Sequence, residues 1–167
     1  MYESAATAPV FEPTVDVWYV WVGLSLASAG ALGAATALPT TPPPDATGAA
    51  RVVDGVAGSP YAATGEHPLA HAEAVRLSPT SIGLRSHDGA AHASFRSGPV
   101  VPVGQSTRLR RVLDGTPPGR VFDDTDSLRY AVREARERAR DPAWRPAPDT
   151  LRVRHVTWRG VDVTLVG

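Results

Sequence analysis

"VDVWYVWVGLSLASAGALGAATALPTTPPPDA", residues 15–46, divides the chain into a hydrophobic beginning and a folded remainder. Val17 to Leu38 is 22 residues without a charged side chain. As an α-helix rising about 1.5 Å per residue it spans roughly 33 Å, against a bilayer hydrocarbon core of about 30 Å. Trp18, Tyr19 and Trp21 crowd its start, where amphipathic rings settle at a membrane–water interface. Past Leu38 the prolines of "PTTPPPDA" cannot continue a helix and favour extended polyproline II. The stretch therefore reads as a retained transmembrane helix over 17–38. A short acidic tail (1–16) precedes it and a Pro-rich linker (39–48) follows.

Two other readings stand beside this one. Ala35-Thr36-Ala37 matches the small-x-small cleavage pattern of a signal peptide. Such a peptide opens with a basic segment, whereas this chain opens with Glu3, Glu12 and Asp16, and the uncharged run exceeds a usual signal core. The third reading is a buried helix of a soluble domain, for which the run is long. Small residues recur four apart, Ser25, Ala29 and Gly33 on one line and Gly30 and Ala34 on another. That spacing lets two membrane helices approach closely, so self-association through the span is an expectation.

Length and composition bound the remainder. A chain of 167 residues suggests one globular domain plus appendages. All 17 basic side chains are Arg, and from residue 39 onward they face 14 acids. That excess is too mild for a nucleic-acid-binding face. Cys is absent, which excludes disulfides, Cys-based metal sites and thiol catalysis.

Residues 49–167 read as a globular α+β domain with a mainly antiparallel sheet and two or three helices. Val52, Val53, Val56 and Ala57 follow helical spacing and end at Gly58 and Pro60. "SPYAATGEHPLAHAEA" (59–74) is turn-rich and ambiguous. Val75 and Leu77, then Ile82 and Leu84, alternate as strands, and a turn at 86–89 leads into Ala91 to Phe95. A short helix capped by Ser106 or Thr107 buries Leu109, Val112 and Leu113 and ends at Gly115. A longer helix over 126–141 lines up Leu128, Val132, Ala135 and Ala139. A terminal hairpin turns at Arg159-Gly160, with Val161, Val163 and Leu165 on one face.

Catalytic signatures are sparse. His67 and His71 stand four apart with Glu66 and Glu73 nearby, and on a helix such a pair shares a metal. The zinc-hydrolase pattern needs Glu directly after the first His, where this chain has Pro68. Ser94 and Ser106 lack the G-x-S-x-G turn that exposes a hydrolytic nucleophile. "VGQST" (103–107) lacks the Gly-Lys pair of a phosphate loop. The Arg-rich face of helix 126–141 reads as solvated and supported by a Glu134–Arg138 pair. Trp144 and Trp158 read as packed in or near the core. The expectation is no catalytic, cofactor-binding or metal-binding residue, and no nucleic-acid partner.

Several stretches carry a resemblance. "DVWYVWVGLSLASAGALGAATALPTTPPPDA", "SPYAATGEHPL", "DPAWRPAPD" and "WRGVDVTLVG" resemble a haloarchaeal family of uncharacterised single-span membrane proteins. That family has no assigned activity and is similar to pilin-like proteins associated with type IV pilus or secretion machinery. The resemblance implies an N-terminal anchor, a β-rich head and no catalysis. An archaeal prepilin carries a basic residue and Gly before its hydrophobic run, whereas "FEPTVD" stands there in this chain. The expected role is a membrane-anchored accessory or structural protein. Its expected partners are the lipid bilayer through Val17–Leu38 and membrane assembly components, with the head outside the cytoplasm. The alternative is a tethered or secreted hydrolase with an unrecognised site.

Overall fold

The structure is a computed structural model that describes residues 15–36, 43–105 and 107–167, with first-helix side chains described for 18–30. The chain divides into two compact units, Met1–Thr40 and Thr41–Gly167.

The first unit holds helix α1, Val15–Thr36. Every described side chain, 18–30, is exposed. Trp18 meets Tyr19 edge-to-face at 5.4 Å, and Ser25 Oγ donates to the Trp21 carbonyl at 2.8 Å. The expected transmembrane helix is not supported: among the described residues no helix is long and apolar enough to cross a membrane. Half of α1 is Ala, Gly, Ser or Thr, which contribute little transfer free energy. Gly33 and Ala34 of the small-residue lines lack described side chains, and Leu38 and residues 39–42 of the linker lie outside the described residues.

The second unit contains, in chain order, α2 (Ala46–Ala57), β1 (Ala63–Pro68), β2 (Ala74–Leu77), β3 (Ser81–Ser86), β4 (Gly89–Ser94) and β5 (Val101–Pro102). Then come α3 (Arg108–Leu113), a 3₁₀ turn at Pro118–Arg120, α4 (Thr125–Arg138), β6 (Arg145–Pro146), β7 (Thr150–Trp158) and β8 (Val161–Val166). Two four-stranded sheets result: sheet I in the order β1-β7-β8-β5 and sheet II in the order β4-β3-β2-β6. Every pairing is antiparallel except β5 with β8, which is parallel. The fold class is α+β with antiparallel-rich sheets; two sheets stand where the sequence suggested one.

Alternation explains why sheet I lies in the middle. On β7, Leu151 and Val153 point one way and Val156 the other. The first pair joins Val166, the buried face of α2 (Ala49, Ala50, Val53) and Val75, Leu77, Ile82 and Leu84 of sheet II in one core. Val156 joins Val161, Val163 and Leu165 of β8 with α3 and α4 in a second core that includes Leu109, Phe122 and Leu128. Each fully buried Leu, Ile or Phe stabilises by roughly 1.5–3 kcal/mol through removal from water. Such two-sided burial accounts for a β8 in which every residue but Asp162 is buried.

Local chemistry sets the element ends. Asp45 Oδ1 accepts from Gly48 N–H at 2.7 Å and starts α2 at Ala46, inside the stretch read as linker. Thr107 Oγ1 accepts from Arg110 N–H at 3.3 Å and caps α3; Ser106, the alternative cap, lies outside the described residues. Asp124 Oδ1 accepts from Ser127 N–H at 2.7 Å at the start of α4. The β7–β8 hairpin turns on Arg159 and Gly160, both with positive φ (47° and 77°), which matches the right-handed strand twist.

Candidate functional site

The histidine pair is divided between a strand and a turn. His67 lies in β1 beside Glu66, so the two side chains leave opposite faces of the strand. His67 Nε2 stands 3.9 Å from Asp45 Oδ2, and Glu66 instead meets Arg152 at 3.3 Å. His71 sits after the strand at φ 67° and is exposed. Pro68 ends β1 rather than starting a helix, so the spacing of four does not put both rings on one face. Among the described residues no group of three His, Asp or Glu side chains is placed to hold a metal ion.

Ser94 ends β4 and is exposed. Among the described residues no hydrogen bond joins it to a histidine or a carboxylate. The Arg-rich face of α4 is engaged. Arg138 meets Glu134 at 3.5 Å, Arg129 meets Asp126 at 3.0 Å and Arg140 meets Glu137 at 3.0 Å. Arg136 turns inward and donates to the carbonyls of Pro99 (2.9 Å) and Val100 (3.3 Å).

A polar concavity lies between β1, β7 and the end of α3, with a volume of about 350 Å³. Register builds it. Glu66 lies opposite Arg152 across β1 and β7, and the last turn of α3 brings Asp114 alongside. Arg152 Nε reaches Glu66 Oε1 at 3.3 Å and its Nη1 reaches Asp114 Oδ1 at 3.1 Å. Arg110 Nε takes the other oxygen of Asp114 at 3.0 Å. Arg154 Nη1 donates to the Val112 carbonyl at 2.6 Å, near the end of α3, where guanidinium charge complements the helix dipole. Each cation meets an acceptor, and the network ties α3 to sheet I. Its lining includes no Ser, Cys or His, and its carboxylates, Glu66 and Asp114, are both engaged by arginines.

The outer face of sheet II carries a different arrangement. The Trp144 ring lies over Gly83, where an added Cβ would stand 3.1 Å from Trp144 Cη2 and 2.7 Å from His92 Nδ1. The Arg85 and Arg76 guanidiniums lie 4.9 and 5.2 Å from the Trp144 ring centre, and the His92 ring lies 6.0 Å from it. Trp144 therefore belongs to a surface cation–π cluster and to neither core. Trp158 does pack against the second core, as expected.

Perturbed carboxylates serve structure. Burial alone would raise the pKa of Asp54, but N–H groups of Ser97 and Arg96 bond its carboxylate and hold it below the usual range. The N–H of Ser127 holds Asp124 low in the same way. The first is a latch between α2 and the segment after β4, and the second is a helix cap.

The chain matches the family of unknown function DUF7283 over residues 12–156. No curated protein and no solved structure matches it.

Proposed function

We propose that this chain, which belongs to the DUF7283 family of unknown function, is a non-catalytic accessory or structural protein of a membrane-associated assembly. Within that reading α1 is the attachment element and the α+β unit is a head, as in the pilus-like or secretion assemblies of haloarchaea. The observation that carries it is the chemistry of α1. Trp18, Tyr19, Val20, Trp21, Leu24 and Leu26 are all exposed, and the helix has no polar stripe to face water. A helix that is apolar on all sides is stable only when it is surrounded, by lipid or by other helices. In this proposal lipid and neighbouring helices together supply that cover. Small residues such as Ser25, Ala29 and Gly30 let those neighbours approach closely. The head lies outside the cytoplasm in this proposal.

Cell fractionation tests it. The full chain is expected to sediment with membranes, resist carbonate extraction and leave them in detergent together with other proteins. A variant lacking residues 1–40 is expected in the supernatant. A full-length chain that stays in the supernatant as a monomer refutes the proposal. Protease shaving of intact cells, with detection of the β7–β8 hairpin, decides the orientation of the head.

A further inference from the structure

A second cavity, of about 250 Å³, lies between the last turn of α4, β5 and the segment Pro142–Arg145. Leu77, Pro102, Ala135, Ala139 and Pro142 give it apolar walls, and Arg138 and Arg145 are the charged residues of its lining. Arg138 is held by Glu134 at 3.5 Å. Arg145 differs from it. Its residue is half-buried, and among the described residues its guanidinium donates no hydrogen bond and meets no carboxylate. Burial, and after it the charge of Arg110, lowers its pKa. Arg110 is itself under-satisfied: its Nε bonds Asp114 at 3.0 Å, while its Nη1 is buried with no hydrogen-bond partner.

A half-buried guanidinium that meets no carboxylate is costly, because it gives up part of its hydration with no protein acceptor in return. Folded chains keep such groups where a ligand completes them. Oxyanions are the natural complement, since the planar fork of Arg matches two oxygens at once. The walls add a second requirement. Five of the named lining side chains are apolar, so a small inorganic anion would leave them wet. The volume lies just under the range usual for small-molecule sites, about 300 Å³ upward.

We propose that this cavity binds a small organic carboxylate, with its carboxylate on Arg145 and a short apolar group against Leu77, Pro102 and Ala135. Arg145 is thereby a ligand-binding residue, and its unpaired state reflects the anion it is built to receive.

The test uses the full chain in detergent, at fixed ionic strength, with sodium butyrate, sodium benzoate, their neutral amides and sodium phosphate as probes. Butyrate and benzoate are expected to raise the unfolding midpoint and to give a measurable Kd by calorimetry. The amides and phosphate are expected to bind at least 10-fold more weakly. Arg145→Gln is expected to weaken both carboxylates at least 10-fold. Without any probe the same variant is expected to unfold at the same temperature or higher, because it removes an uncompensated charge; an Arg145 that is merely structural would lower the midpoint. Carboxylates that act no differently from matched chloride overturn the proposal. So does retention of binding by Arg145→Gln, or phosphate binding as tightly as butyrate. An unliganded Arg145→Gln that unfolds at lower temperature also overturns it.

Discussion

Asp54 offers the sharpest test of how the head is held together. It lies in the last turn of α2, and its side chain is only 12 % exposed. Its Oδ1 accepts from Arg96 N–H at 2.8 Å and Ser97 N–H at 3.0 Å, across more than forty residues of sequence. The Arg96 side chain adds a contact at 3.5 Å, but that guanidinium is 83 % exposed and contributes little. Hydrogen bonds to a charged acceptor contribute roughly 1.5–3 kcal/mol each. Because Arg96 and Ser97 are exposed, water partly replaces what a deletion removes. Asp54→Ala should therefore cost about 2–3 kcal/mol, a fall in Tm of roughly 8–12 °C for a domain of this size. Asp54→Asn keeps an acceptor oxygen and loses only the charge, so about 1 kcal/mol is expected.

The pH dependence follows from the sign of the shift. The folded pKa of Asp54 lies below the ordinary value of 3.8. Its charge thus contributes stability that is fully present above that value and is lost as pH falls through the folded pKa. Urea unfolding of wild type and Asp54→Asn at pH 7, 5, 4 and 3.5 should show a gap that is constant down to pH 5. The gap should then close in the most acidic samples. A gap that persists unchanged at pH 3.5, or an Asp54→Ala cost below about 0.5 kcal/mol, refutes the assignment of Asp54 as a charged latch.

Two further substitutions probe the packing. Gly83→Ala places a Cβ 2.7 Å from His92 Nδ1 and 3.1 Å from Trp144 Cη2, which forces both rings off the sheet. A cost of about 1–3 kcal/mol is expected in denaturant melts, with a change in Trp fluorescence that Gly55→Ala, on open surface, does not produce. Leu165→Ala empties a fully buried site in the second core and should cost about 2–5 kcal/mol by the same measurement.

Much of this fold was legible where side chains alternate. Val75, Leu77, Ile82 and Leu84 mark β2 and β3 because one face is buried and the other wet, and α4 shows its stripe for the same reason. The turn at Arg159-Gly160 announced the last hairpin. β1 was not legible. "ATGEHP" has no apolar alternation, and it becomes a strand because β7 pairs with it and Gly65 lets α2 press close. An added Cβ at Gly65 would stand 2.7 Å from Val56 Cγ2. β5 and β6 are two residues each, too short for any periodic signal. The division into two sheets depends on contacts between distant segments, which no local pattern encodes. The site was less legible still. Among the described residues Arg51, Arg111 and Arg120 also make no hydrogen bond or ion pair but are exposed, so Arg145 is set apart by being half-buried without a partner, and Trp144 lies outside the cores because Gly83 leaves room for it on the surface.

The order of sheet I also sets a schedule. Its first strand, β1, waits for β7, and β5 waits for β8, so the sheet has no centre until the final segments exist. α1 is complete at Thr36, whereas β7 begins at Thr150. At a synthesis rate of roughly 5–20 residues per second, that interval is about 6–23 s. During it α1 is available to engage its surroundings while the head is still an open chain. If α1 attaches the chain as proposed, attachment precedes folding, and a head that misfolds does so already tethered.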